Sequence, residues 1–163
     1  MTANDQTTTI AYDYENRITQ ITYPGGATNA FSYNGLDTRV GKVDSGGTKT
    51  YQRDGAEVTD DVLSDGASTY TPGISVRSSG ATTFQHGDRL GTFSLQTNAA
   101  QATSATRQYG AFGVLLSSTR TSAGPFGFAG GYGYHEDGDS GLKLLGHRYY
   151  DPSTGRFLTR DPA

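Results

Sequence analysis

The sequence predicts an all-β fold built from antiparallel β-hairpins. Three observations lead to this prediction. Gly, Thr and Ser together dominate the composition, whereas runs of strong helix formers are missing. Apolar and polar residues alternate with the period of two that is typical of strands. Turn-forming residues interrupt the chain so often that few segments exceed the length of a strand, and such short connections join antiparallel strands.

The sequence predicts a core with few aliphatic side chains. Only 27 of the 163 residues are Leu, Ile, Val or Phe, a share at which disorder becomes an alternative. Two features oppose disorder: the net charge is only −3, and eleven Tyr supply large side chains that can be buried. We therefore expect one folded domain rather than a disordered chain.

Several classes of protein are excluded by composition. The chain has no Cys, and hence no disulfide, thiolate metal site or cysteine nucleophile. It contains no apolar run long enough to span a membrane, and residues 1–6 lack the basic and apolar regions of a signal peptide. The slightly acidic balance and scattered Arg residues predict no nucleic-acid partner.

An internal repeat with a period of about 21 residues organises the first part of the chain. Segment 10–18 aligns with segment 31–40, and weaker copies follow at 51–55 and from residue 108. Each copy is expected to form a hairpin. The alignment predicts that Tyr12 and Tyr33 are equivalent, and that Arg17 and Arg39 are equivalent.

The turns of these hairpins are predicted at Asn16 and Asp37, because Asn and Asp tolerate a left-handed backbone better than other non-glycine residues. In the first hairpin the alternation slips between Ile18 and Ile21, which indicates a β-bulge or a twist at this point. Further along, segment 98–106 contains four Ala that are compatible with a helix. Its Thr and Ser residues favour a hairpin instead.

The C-terminal forty residues carry a long and distinctive pattern. Its parts are Pro-Phe-Gly-Phe-Ala-Gly at 125–130, Ser-Gly-Leu at 140–142 and Gly-His-Arg-Tyr-Tyr-Asp-Pro-Ser-Thr-Gly-Arg-Phe-Leu-Thr-Arg-Asp-Pro at 146–162. This pattern resembles the repeat-associated core of the Rhs/YD-repeat family. The hairpins with Tyr-Asp and Tyr-Asn resemble YD repeats, and segment 86–92 is similar to a further family motif. The resemblance divides the chain into YD-repeat hairpins at 1–60 and a core-like region at 61–163, continuous with the same sheet.

The resemblance implies a strip of antiparallel hairpins that is part of a spiralling β-shell around a toxic C-terminal polypeptide. The implied partners are flanking YD repeats and a toxin or effector cargo, and the implied location is outside the cell or on its surface, within a larger protein. A strip cut from such a shell has unpaired edges and is expected to self-associate through them. The alternative is a cell-surface adhesion module that binds glycan or protein, as in teneurin-like members.

Members of this family resemble aspartyl autoproteases, in which an Arg-Asp-Pro-x-Gly motif acts with a second Asp-Pro-x-Gly motif downstream. Arg160, Asp161 and Pro162 match the first motif. Two neighbouring carboxylates would share a proton, so that one acts as acid and the other activates water. The second motif and the scissile bond are missing from this sequence, which ends at Ala163. We therefore expect no enzymatic activity, and Arg160 and Asp161 are a vestigial site.

Other candidate sites have simpler interpretations. The segment that begins at Asp151 is expected to be a turn. The acidic segment 136–141 resembles the start of a calcium loop, but its twelfth position from Asp137 is Arg148 rather than Glu, so an exposed turn is expected. His86, His135 and His147 are widely spaced, and no metal or other cofactor is predicted. The aromatic residues near the C-terminus are expected to fill the core rather than to bind a ligand.

Overall fold

The computed structural model describes residues 7–120 and 123–160. Within these residues, seventeen strands form three antiparallel sheets, and a single 3-10 turn at Gly130–Tyr132 is the one helical element. The predicted all-β antiparallel fold is confirmed. No described helix has the length and apolar character needed to cross a membrane.

The first sheet is a five-stranded meander, in which each strand pairs with the next strand in the chain. Its strands are β1 (Thr9–Tyr12), β2 (Ile18–Thr22), β3 (Thr28–Tyr33), β4 (Arg39–Asp44) and β5 (Gly47–Thr50).

The second sheet continues the meander with eight strands. They are β6 (Gln52–Arg53), β7 (Val62–Ser64), β8 (Ser68–Thr71), β9 (Ser75–Ser78), β10 (Ala81–Gly87), β11 (Phe93–Asn98), β12 (Thr103–Tyr109) and β13 (Leu115–Ser118). Strands β11 and β12 form the hairpin that was favoured over a helix for segment 98–106, and this prediction is confirmed. We call the first and second sheets together the strip.

The third sheet has four strands near the C-terminus, and we call it the C-terminal sheet. Its strands are β14 (His135–Glu136), β15 (Lys143–Leu145), β16 (Arg148–Asp151) and β17 (Arg156–Phe157). Residues of this sheet lie against residues of the strip more than ninety positions earlier, as in the hydrogen bond from Arg39 to Tyr149. The C-terminal sheet therefore forms a second layer over part of the strip.

One five-residue turn recurs along the strip. The N–H of its first residue donates to the carbonyl of its fifth, and its fourth residue has positive φ, as in Asp13–Arg17 with Asn16 at 65° and Asn34–Thr38 with Asp37 at 61°. The same geometry joins β10 to β11, β11 to β12, and β12 to β13. The Asp or Asn at its first position also accepts two backbone N–H groups through its side chain, as Asp13 does. The turns predicted at Asn16 and Asp37 are confirmed.

The turn geometry corrects one half of the repeat alignment. Tyr12 and Tyr33 do occupy equivalent positions on one face of the sheet, opposite Ile18 and Arg39 respectively. Arg17, however, is the last residue of its turn and corresponds to Thr38, because both accept an N–H bond from the first turn residue. The equivalence predicted between Arg17 and Arg39 is therefore wrong. A register shift in the β1–β2 pair confirms the predicted bulge.

The apolar core is small and lies in two clusters. One joins the strip to the C-terminal sheet and consists of Ile18, Ile21, Phe31, Leu144 and Tyr149. The other lies within the second sheet and consists of Tyr51, Val62, Tyr70 and Val76. Outside these clusters most buried side chains are polar or charged. Arg39, Lys42 and His135 are among those that lie where the C-terminal sheet meets the strip.

Candidate functional site

A buried arginine links the two layers. Arg39, at the start of β4, is 1% exposed, and its Nη1 donates to the hydroxyl of Tyr149 at 2.9 Å. Its Nη2 lies 3.0 Å from Nδ1 of His135 on β14. Since a guanidinium only donates, the His135 nitrogen that faces it is the acceptor, and the ring is neutral with its proton on Nε2. The guanidinium also lies 4.7 Å from the ring centroid of Tyr51.

A second charged contact joins the layers at the other end of β4. Lys42 Nζ contacts carboxylate oxygens of Asp44 at 2.5 Å and Asp137 at 2.9 Å. Asp137 is 1% exposed and also accepts from Asn29 Nδ2 at 3.3 Å and from two backbone N–H groups of its own turn. Burial alone would lower the pKa of Lys42, but the carboxylates of Asp137 and Asp44 raise it, so the lysine is held charged.

A third cluster lies on the second sheet. The carboxylate of Glu136 on β14 forms ion pairs with Lys143, whose Nζ lies 2.6 Å from Oε1, and with Arg107, whose Nη1 lies 3.3 Å from Oε2. Arg107 also donates to the carbonyl of Phe126 at 2.7 Å. Burial, followed by the charge of Glu136, raises the pKa of the nearby Tyr109 hydroxyl. This tyrosine therefore stays protonated throughout the physiological range.

We call the three contacts clamps, because each connects the C-terminal sheet or its approach to the strip. Lys42 and Arg107 are paired with carboxylates, whereas Arg39 is bonded to the neutral side chains of Tyr149 and His135. Breaking a buried ion pair by removing one partner typically costs about 3–5 kcal/mol. A cavity of about 520 Å³ opens beside them, lined by residues that include Lys42, Lys49 and Glu136.

Of the autoprotease residues predicted from the sequence, the structure describes Arg160, which takes part in none of the three clamps. Arg160 is exposed and follows β17, whereas Asp161 and Pro162 lie outside the described residues. Two positions earlier, the backbone N–H of Leu158 donates to the carbonyl of Tyr149, which ties the end of the described chain to the C-terminal sheet. Arg160 has no buried carboxylate beside it among the residues that the structure describes.

The remaining candidate residues are separated in space. His86 lies on β10 and bonds Thr97, and His147 lies in the turn between β15 and β16. Asp151 forms the predicted turn, since its carboxylate accepts the N–H and hydroxyl of Ser153. The acidic segment is also a turn, but the expectation that it is exposed is wrong for Asp137. The carboxylate of Asp137 is buried because it pairs with Lys42 and accepts a hydrogen bond from Asn29 in the interior.

The buried charges were not identified from the sequence, although a signal for them exists. Asn29 and Lys42 face inward at positions that register with Ile21 and Phe31. Within a strand, residues two apart share a face. A polar residue at an inward position of an alternating strand therefore indicates a buried partner elsewhere in the chain.

No protein-family model and no curated protein matches this chain. Among solved structures, a chain in the Tc holotoxin pore of Photorhabdus luminescens matches with a TM-score of 0.73 and 15% sequence identity. The match covers 96% of this chain and 9% of that one. The fold is that of a toxin-complex chain.

Two further solved structures match the fold of this chain. The TcdB2–TccC3 chain matches with a TM-score of 0.69, and TcdB2–TccC3 without its hypervariable C-terminal region matches with 0.70. Both are 16% identical over 95% of this chain and 9% of theirs. These likenesses show that the fold of this chain is shared with a stretch of the TcdB2–TccC3 chains, and this chain spans 9% of their length.

Proposed function

We propose that this chain is a structural module of the wall of an Rhs-type shell that encapsulates a C-terminal toxin or effector. The observation that carries the proposal is the match of nearly the whole chain to TcdB2–TccC3 chains. The expected partners are flanking repeats and the cargo polypeptide, and the expected location is extracellular or on the cell surface as part of a larger protein.

The structure supports this role in two ways. Among the described strands, β1 and β13 each have only one neighbour, so both ends of the strip offer backbone groups to a further strand. The interior is polar and held by side-chain clamps, which suits a wall that borders an enclosed and hydrated space better than a compact apolar core would.

The test is protease protection of a polypeptide that carries this chain together with the segments encoded beside it. We expect the downstream segment to resist digestion in the intact protein. Tyr149→Ala, which removes a clamp, should expose it, whereas Tyr14→Ala, at a side chain that is 95% exposed, should not. Digestion of the downstream segment at the rate of the isolated segment would contradict the proposal.

We also propose that the chain does not cleave itself, because only the first of two motifs is present, at Arg160, Asp161 and Pro162. The chain should keep its full mass at neutral pH. Addition of a downstream segment that carries the second motif should allow cleavage, and Asp161→Asn should prevent it. Intact-mass spectrometry distinguishes these results, and cleavage of the extended Asp161→Asn chain would show that the residues are wrongly assigned.

A further inference from the structure

A second cavity, separate from the clamps around Lys42 and Glu136, lies between the strip and the C-terminal sheet. Its volume is about 550 Å³. Arg53 of β6 and the loop that follows β6 border one side, and β14, β15 and the glycine-rich segment 131–133 border the other. His135 lines it, and Phe126 and Leu144 supply apolar surface.

Two residues that line this cavity, Arg53 and His135, each have a buried hydrogen-bond donor, Arg53 Nε and His135 Nε2, without an acceptor among the described residues. Arg39 Nε and Tyr51 Oη also have none there. Both of these residues contact His135, Tyr51 with its ring centroid 5.5 Å away, but neither lines the cavity. Arg39, Tyr51 and His135 are each less than a tenth exposed. Because a buried donor without an acceptor is unfavourable, these donors favour a bound acceptor.

The charges at this place are unbalanced as well. Within the described chain, neither Arg39 nor Arg53 has a carboxylate oxygen within ion-pair distance. The Nη1 of Arg53 donates to the backbone carbonyl of Asp60 at 2.7 Å. Two carboxylates do line the cavity. That of Asp60 accepts the N–H of Glu57, and Asp61 is exposed to solvent.

The titration behaviour of the same groups agrees with excess positive potential. Burial and then the charge of Arg39 lower the pKa of Arg53, and the carboxylates of Asp60 and Asp61 offset only part of this effect. Burial lowers the pKa of His135 well below its ordinary value, and the charges of Arg39, Lys42, Lys49 and Arg53 lower it further. Each of these shifts would be relieved by a negative charge placed between the two arginines and the histidine.

We propose that this cavity is a binding site for an oxyanion, either a carboxylate or a phosphate group. Arg53 and His135 donate hydrogen bonds to the anion directly. Arg39, which is bonded to the Nδ1 of His135, adds positive charge. A guanidinium suits both chemistries, because its planar donors match the spacing of carboxylate and phosphate oxygens. Phe126 and Leu144 supply apolar surface that can contact the organic part of a larger ligand. This site does not depend on the proposed shell function.

Isothermal titration calorimetry of the whole chain with inorganic phosphate and, in a separate arm, with acetate tests the site. The two arms distinguish a phosphate ligand from a carboxylate ligand. We expect saturable binding in at least one arm, weakened about tenfold or more by Arg53→Gln. Arg77→Gln, at an exposed arginine on β9, should bind as the unaltered chain does.

A second readout needs no variant and remains valid if Arg53→Gln fails to fold. In the unaltered chain, the bound anion should shift the NMR signals of the His135 ring and raise the pH at which that ring titrates. No shift at saturating anion in either arm would overturn the proposal. Equal binding by Arg53→Gln and Arg77→Gln would also overturn it, since the anion would then bind the surface at large.

Discussion

His135 shows how a single residue can make the stability of this protein depend on pH. Burial and four nearby cations keep its pKa in the folded state well below the ordinary value of 6.5. Below about pH 6.5 the unfolded chain therefore binds a proton that the folded chain does not bind, and stability falls as the pH falls. Above that pH the ring is neutral in both states and the effect is absent.

We predict that the free energy of unfolding, measured with urea in buffers free of phosphate and carboxylates, decreases below pH 6.5. The contribution of His135 to this slope approaches about 1.4 kcal/mol per pH unit. His135→Gln should reduce the slope, whereas His86→Gln, at an exposed histidine, should keep it. Identical slopes for both variants would show that another group controls the acid sensitivity.

A substitution at Gly130 tests how closely the segment before the C-terminal sheet packs against the strip. A Cβ at this buried position would lie 2.8 Å from the Phe93 ring and 3.0 Å from Phe126 Cβ. We predict that Gly130→Ala destabilises the fold by about 1–3 kcal/mol through overpacking. Gly138→Ala is the matched control, because a Cβ there has open space. Thermal denaturation of both variants measures the difference, and equal melting temperatures would contradict the packing.

Among the structural elements, the C-terminal sheet is anchored mainly by Tyr149. This side chain is fully buried against Phe31 of the strip and accepts a hydrogen bond from Arg39, whereas Phe128 is only half-buried.

We predict that Tyr149→Ala costs about 3–5 kcal/mol and Phe128→Ala clearly less, because only the first leaves a full cavity and an unpaired guanidinium. Chemical denaturation gives both values. A loss below about 1 kcal/mol for Tyr149→Ala would place the anchor elsewhere.

The elements differ in how far the sequence predicts them. Local chemistry defines the hairpins: the Asp13 and Asn34 turns carry both their side-chain acceptors and their left-handed residues within five positions. The layer above them depends on contacts such as that between Asn29 and Asp137, which are 108 positions apart. Periodicity identifies the inward face but not which distant charge will neutralise it, so Lys42 and Asp137 could not be assigned from sequence alone.

For the whole molecule, the two ends of the strip control association. The edge strand β13 is exposed along its whole length and carries Leu115 and Leu116. Unpaired backbone groups beside apolar side chains favour strand addition. We predict concentration-dependent self-association in analytical ultracentrifugation, reduced by Leu116→Lys. Leu90→Lys, at an exposed leucine in a turn, should associate as the unaltered chain does. Unchanged association of Leu116→Lys would exclude this edge as the contact.

If the proposed shell function is correct, the chain is one stretch of a continuous shell wall. Electron cryomicroscopy of the longer polypeptide that contains it tests this most directly. We predict that β1 is hydrogen-bonded to a strand of a preceding hairpin, that the C-terminal sheet stays clamped to the strip through Arg39 and Tyr149, and that density for the downstream polypeptide lies inside the enclosure. A map in which β1 remains an edge and the downstream polypeptide folds outside would contradict the account.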